Sequence, residues 1–178
     1  YFATKGLKTR FVGDGDAVLS SGSIVGNDLL EKGFEIVILK NKEERMDTGI
    51  TLMVQDIESF TQRDMEKPAI DTEMGMLPPK LARMMVNLAA LPAGATVWDP
   101  FCGSGVIPME SILLGYNVLA SDISEKAVSD TEKNIHWLGE NYDVGDRKYN
   151  VFQHDMTQEH RRTEHRLRQT ELDGIVFE

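Results

Sequence analysis

One cysteine, Cys102, stands in 178 residues, and a lone thiol excludes an internal disulfide framework. That usage fits a reducing cytoplasm, where the chain is expected to reside. The four histidines, His136, His154, His160 and His165, form no ligand spacing with that cysteine, so no metal is expected. No apolar run approaches membrane-spanning length. The opening stretch YFATKGLKTRF lacks the apolar core of a secretory leader, and no membrane partner is expected. Positive charge is also scarce: 19 Lys and Arg face 29 Asp and Glu, a formal net charge of −10. A free-standing nucleic-acid binder usually shows the opposite balance, so any grip on nucleic acid would come from local basic patches or from another domain. What remains has the composition of an ordinary soluble protein, long enough for one good core with a small appended piece. There is no internal repeat and no low-complexity tract.

The first sixty or so residues read differently from the rest. FEIVILKN and ITLMVQDI are β-rich, with polar or Gly breaks between them, and GSIVGNDLLEKGF reads as a short helix closing at Gly33. TQRDMEKPAIDTEMGMLPP carries prolines and no clear period, which predicts a linker or an ordered loop. From Pro79, KLARMMVNLAAL sets Leu81, Met84, Met85 and Leu88 at the three-and-four spacing of a buried helical stripe, with Pro92 ending it. Then ATVWDP reads as a strand, GVIPMESILLGY as a helix, NVLASDIS as a strand, EKAVSDTEKNIHWLGE as a helix, and KYNVFQHDM and LDGIVFE as two more strands. Such alternation demands parallel pairing with crossover helices. The expected organisation is a small α+β segment over residues 1–62, or the remnant of a preceding domain, and an α/β domain over 63–178. Residues 158–171, rich in Arg, His and Glu, read as a solvated helix or a mobile loop.

The stretch VWDPFCGSGVIPME carries the chemistry. In an open parallel sheet, ligands bind beyond the carboxyl ends of the strands, and VWDP places Asp99 at such an end. Gly103 and Gly105 let the backbone turn tightly and approach a ligand, and the following helix turns free amides toward the same place. A carboxylate ahead of this loop would repel a pyrophosphate but suits a cationic or hydroxyl-bearing ligand. Asp122 ends the next strand, and an acid about twenty residues after a Gly-rich turn is where a ribose hydroxyl pair is held. Asp155 ends the strand after that. Three successive parallel strands each ending in Asp make sense as a nucleoside site.

These residues carry a family resemblance. DPFCGSG resembles the cofactor loop of S-adenosylmethionine-dependent amino-methyltransferases, enzymes that methylate exocyclic nitrogens of bases. RDMEKPAIDTEMGMLPPKLARMMVNLA is similar to the segment preceding that loop in THUMP-associated tRNA guanine-N2 methyltransferases, close to the archaeal and eukaryotic guanosine-10 branch. The likeness covers most of residues 60–138. GLKTRFV and LSSGSIVGNDLLEKGFEIVIL also resemble the region before that family's catalytic domain. The resemblance implies a Rossmann-like class I methyltransferase sheet, of which the first four strands are present, with S-adenosyl-L-methionine as cofactor and RNA, tRNA above all, as partner. It implies that the loop Asp99, Pro100, Phe101, Cys102, Gly103, Ser104 and Gly105 lines the methionine end, that Asp122 holds the ribose, and that Asp155 faces the adenine amino group. Ile123 and Met156 would flank the adenine ring, and Leu77 and Pro78 in GMLPPKLA would close over the methionine part. Val106 departs mildly from the Thr frequent at its position.

Methyl transfer to an aromatic amine is a direct displacement that needs in-line alignment and acceptors that draw electron density onto the amine. In amino-methyltransferases those acceptors belong to an Asp/Asn-Pro-Pro-aromatic tetrapeptide after the fourth strand. LDGIVFE resembles that strand, and Glu178 falls at the tetrapeptide's first position, where Asp or Asn is usual. The expectation is a domain incomplete at its carboxyl end, holding cofactor without transferring methyl by itself. Its exposed strand edge would be covered by another copy or by further segments. A THUMP domain, if one exists, would precede Tyr1. The alternatives are a DNA adenine or cytosine amino-methyltransferase, which shares the loop type, and a non-catalytic S-adenosylmethionine-binding module.

Other residues have plainer readings. Cys102 has no acid–base partner in sequence range and is expected to pack rather than attack. Trp98 and Trp137 are expected in the core, and Met74, Met76, Met84 and Met85 in the core or a flexible lid. Arg161, Arg162, Arg166 and Arg168 could touch RNA phosphates or form a solvated face with Glu159, Glu164 and Glu171.

Overall fold

A computed structural model describes residues 19–32, 35–71, 75–157 and 170–178. The expectations for Gly33, Met74, His160, His165, Glu159, Glu164 and the Arg161–Arg168 cluster lie outside the described residues. The chain divides into two compact units, Tyr1–Glu58 and Ser59–Glu178.

In the first unit, helix α1 (Ser21–Gly26) starts where the Ser20 side chain accepts the Ser23 amide at 3.1 Å, a standard N-cap. It stops at Asn27, well short of the helix expected to run to Gly33, and Asp28 follows with φ 53°. Strands β1 (Ile36–Lys40) and β2 (Met46–Ile50) form an antiparallel hairpin with Lys40 opposite Met46 and Ile36 opposite Ile50. The second strand is therefore MDTGI rather than ITLMVQDI. Local turn chemistry decides this: Asn41 Oδ1 accepts the amides of Glu43 and Arg45, both at 2.9 Å, and Glu44 takes a left-handed φ of 64°. The chain is turned back before the apolar run begins.

The second unit takes in α2 (Ile57–Met65) from Ser59 on, and this helix occupies the start of the stretch expected to be a linker or an ordered loop. Helix α3 (Pro79–Leu88) follows. Then β3 (Thr96–Asp99), α4 (Val106–Leu113), β4 (Asn117–Asp122), α5 (Glu125–Asn141), β5 (Tyr149–Gln153) and β6 (Gly174–Ile175) complete the order. The sheet runs β5-β4-β3-β6 and every pairing in it is parallel. The α/β alternation thus produces the expected fold. Strand order reverses at β3, whose neighbours are β4 on one side and β6 on the other, so a ligand crevice belongs at the carboxyl end of β3.

Helix α4 is buried from Val106 to Ile112, as befits a helix that is apolar nearly all round. It packs with Val97, Val118, Ala120, Ile135, Leu138 and Val176 in one core. Trp98 lies in the sheet with its Nε1 donating to Ser121 Oγ at 3.1 Å. Trp137 packs half-buried against the core. The stripe expected on α3 is not the buried one. Pro79, Ala82 and Val86 are buried, while Leu81, Met84 and Leu88 are exposed and Met85 is half-buried. Both sets have helical spacing, so period alone cannot choose between them; the small Ala82 and Val86 let α3 come close to α4.

Of the expected linker or ordered loop, the first residues are helical instead, for a related reason. Arg63 is buried because it has a buried partner: its Nε donates to Glu110 Oε1 of α4 at 2.5 Å. Its guanidinium lies 4.6 Å from the Phe60 ring centroid, and Arg83 Nη1 reaches Glu110 Oε2 at 3.2 Å. Lys67, also buried, donates to the Asp64 carbonyl at 2.8 Å; burial pulls its ammonium below its ordinary value. Charges are buried here because they are paired and hydrogen-bonded, a pattern invisible to hydrophobic periodicity.

Candidate functional site

Strand β3 delivers Asp99, 2 % exposed, to the sheet's carboxyl edge. Its Oδ1 accepts the Phe101 amide at 3.0 Å and starts the turn. The Cys102 amide then donates to the Ser121 carbonyl of β4 at 2.9 Å, and Gly105 N–H closes on the Cys102 carbonyl at 2.7 Å. The loop is thereby fastened to β4 and ends in α4. Gly103 (φ 52°) and Gly105 (φ 84°) both need the left-handed region. A Cβ on Gly105 would lie 2.9 Å from Thr131 Cγ2, whereas one on Gly103 would meet nothing within 4 Å. Gly105 thus serves packing against α5, and Gly103 leaves open space in front of the loop.

That space is a cavity of about 490 Å³ lined by Gly75, Met76, Leu77, Asp99, Phe101, Cys102, Gly103, Ser104, Val106, Ile107 and Glu178. Phe177 meets Phe101 edge-on, ring centroids 5.5 Å apart, so the chain beyond β6 closes one side. Burial drives the Asp99 carboxyl up to about 7, the Phe101 amide opposes this, and the charges of Asp122 and Glu178 add to the rise. Burial likewise pushes the Cys102 thiol up to about 12, where it is not a nucleophile at neutral pH.

Asp122 ends β4 beside the cavity and holds two turns at once. Its Oδ2 accepts the Gly103 amide at 3.0 Å and its Oδ1 the Ser124 amide at 2.9 Å. The His154 amide donates to the Asp122 carbonyl at 2.9 Å, extending the β4–β5 pairing. Ile123 follows, its carbonyl accepting Gln153 Nε2 at 2.9 Å. Asp155 lies two residues past β5, with its Oδ1 accepting the Thr157 amide at 2.9 Å and hydroxyl at 2.6 Å.

The candidate residues thus fall into two adjoining groups. Asp99, Phe101, Cys102, Gly103, Ser104, Leu77 and Glu178 surround the cavity. Asp122, Ile123, Asp155 and Met156 stand at the neighbouring ends of β4 and β5, and Asp122 joins the groups through Gly103. Pro100 is buried behind the loop, Gly105 packs on Thr131, and Pro78 is the exposed residue capping α3. Sequence reasoning missed Ile107 on the cavity wall, and the buried Thr131 and Asn134 behind the loop. The signal for the last two was present: polar residues at buried-stripe spacing with Ala127, Ile135 and Leu138.

A family profile described as RMKL-like, methyltransferase domain matches residues 69–176. The chain belongs to this methyltransferase-domain family. The span of the methyltransferase domain begins at Ala69, whose amide is held by Asn134, and ends at Val176, which donates to the Trp98 carbonyl at 3.0 Å. It therefore takes in the whole loop from Asp99 to Gly105 and all four parallel strands. Among curated proteins, the chain is 45 % identical over 65 residues to a tRNA (guanine(10)-N2)-dimethyltransferase of Methanothermobacter thermautotrophicus, covering 36 % of this chain and 19 % of the relative. It is 40 % identical over 77 residues to the enzyme of that name from Methanocaldococcus jannaschii, covering 43 % and 21 %. The match thus spans about a fifth of those two relatives. Among solved structures, TrmN from Thermus thermophilus aligns at 23 % identity with a TM-score of 0.40, over 67 % of this chain and 33 % of that one. Among the described residues, no helix is long and apolar enough to cross a membrane.

Proposed function

We propose that this methyltransferase domain binds S-adenosyl-L-methionine across the carboxyl ends of β3, β4 and β5 and serves methyl transfer to an exocyclic amino group in RNA, guanine N2 of tRNA. The observation that carries the reading is the row of Asp99, Asp122 and Asp155 at or just past three adjacent strand ends, with Asp99 on the cavity and Asp122 tied to its wall through the Gly103 amide. The donor set suits the cofactor. Carboxylates suit a hydroxyl pair, an amine and a cationic end. Ile123 and Met156, 64 % and 42 % exposed, offer apolar faces to a flat ring. When bound, the cofactor supplies an electrophilic methyl group on a sulfonium.

Each residue then has a definite task. Asp122 accepts from the ribose hydroxyls with lone pairs left over from its two backbone bonds. Asp155 accepts from the adenine amine. Asp99, in its ionised form, faces the cationic methionine end. Gly103 admits the ligand close to the backbone, and Leu77 and Pro78 cover it. Glu178, beside Asp99, accepts a hydrogen bond from the base amine and so favours its attack. The names of the curated relatives support tRNA as the substrate and, with it, a cytoplasmic setting. The outer edge of β6 is the surface for self-association, which concentration-dependent sedimentation would reveal.

Transfer of labelled methyl from S-adenosylmethionine to tRNA or to duplex DNA tests the assignment. With the full-length protein, incorporation into guanine N2 of tRNA is expected, and incorporation into DNA instead would move the enzyme to the other amino-methyltransferase class. Failure to bind S-adenosylhomocysteine would remove the cofactor assignment altogether.

A further inference from the structure

We infer that α5 is the template on which the cofactor loop is shaped, with Thr131 and Asn134 as positioning residues; this rests on the cofactor reading above. Both side chains are completely buried. Thr131 Oγ1 donates to the Gly103 carbonyl at 2.9 Å, and Asn134 Nδ2 donates to the Ser104 carbonyl at 2.7 Å. In a trans peptide the N–H points opposite to the preceding C=O. Drawing these two carbonyls onto α5 therefore turns the amides of Ser104 and Gly105 away from the helix. The Gly105 amide closes the turn on Cys102, and Ser104 is left on the cavity wall.

Asn134 does a second thing with the same side chain. Its Oδ1 accepts the Ala69 amide and its Nδ2 donates to the Ala69 carbonyl, both at 2.9 Å. One amide group thus ties the Ala69 backbone and the loop to a single helix. Only a side chain with an acceptor and two donors on one short stem meets this demand. An apolar replacement leaves buried backbone groups unpaired, the Ser104 carbonyl of the loop among them.

Titration calorimetry with S-adenosylhomocysteine, together with amide exchange on the ligand-free protein, tests the inference. Thr131→Val is nearly isosteric and removes the donor, while Thr131→Ser keeps it. The dissociation constant should rise about tenfold in Thr131→Val and stay within about twofold of wild type in Thr131→Ser. Asn134→Ala should weaken binding by about tenfold or more and speed exchange both at Ala69 and between Gly103 and Val106. Leu138→Ala, on the same helix but in the apolar core, should lower the melting temperature and leave both readouts unchanged. Wild-type affinity in Thr131→Val, or unchanged exchange at both stretches in Asn134→Ala, would overturn the inference. A wild-type protein with no affinity for S-adenosylhomocysteine would defeat the cofactor reading instead, and the exchange data would still decide whether α5 shapes the loop.

Discussion

Burial holds the Asp99 carboxyl near half-protonation at neutral pH, up at about 7 from an ordinary 3.8. Between those values the folded chain keeps a proton that the unfolded chain has lost. Stability therefore falls as pH rises through that interval, by at most roughly 1.4 kcal/mol per unit, and levels off above about 7. Asp99→Asn should flatten this slope and be the more stable protein at pH 8; urea midpoints measured across pH check it, and an unchanged slope would show that other groups set it. A cationic ligand end beside Asp99 favours the carboxylate, so S-adenosylmethionine binding at pH 6.5 should release protons. Calorimetric enthalpies in buffers of differing ionisation heat will show this, and the release should vanish in Asp99→Asn. Asp122 makes a separate contribution. A hydrogen bond to a charged acceptor is worth roughly 1.5–3 kcal/mol, so Asp122→Ala should weaken cofactor binding by about ten- to a hundredfold. Because Asp122 also holds the Gly103 and Ser124 amides, part of that loss will come from a loosened loop.

Elements behave as pairs of surfaces, and the two loop glycines separate packing from access. Gly105→Ala puts a Cβ against Thr131 at a left-handed φ, and should cost about 1–3 kcal/mol of stability. At Gly103 a Cβ meets only open space, so Gly103→Ala should lose relatively less stability and more ligand affinity. Denaturant midpoints beside dissociation constants will distinguish the two. Glu110→Ala would leave Arg63 buried without its partner in α4 and should cost about 3–5 kcal/mol. That ion pair also marks where the sequence stops being legible. The α/β order and the strand-end acids follow from the alternation of apolar runs and breakers, because each strand in a parallel sheet must be apolar to be covered on both faces. The roles of Arg63 and Asn134 do not, since each is buried only because a distant segment supplies its partner. The α3 stripe was misjudged on similar grounds: Leu81 and Met84 satisfy the helical period as well as Ala82 and Val86, and the approach of α4 selects the smaller pair. In the hairpin, Asn41 and Glu44 set the register before Thr51–Ile57 could be drawn into a strand.

At the scale of the whole chain, the net charge of −10 bears directly on the proposed substrate. Phosphate contacts dominate affinity for nucleic acid, and each one releases counterions, so the number of contacts can be read from the salt dependence. Asp99 and Glu178 on the cavity, with Asp122 and Asp155 at the neighbouring strand ends, repel a phosphate backbone rather than attract it. They favour a base that is presented amine-first to the acceptors. A chain of this charge should therefore grip tRNA through few phosphates, about two or three. For single-stranded geometry that gives a slope of roughly −1.4 to −2.1 in log–log salt plots, and a loss of about sevenfold to twentyfold between 50 and 200 mM salt. Fluorescence anisotropy of labelled tRNA at several salt concentrations measures this slope. A steeper slope with submicromolar affinity would reveal a basic surface formed by residues outside those described, with the Arg161–Arg168 cluster as the first place to substitute. Tight binding that ignores salt would mean that base contacts, not phosphates, carry recognition, and would put the RNA-binding face on the apolar residues around Phe101 and Phe177.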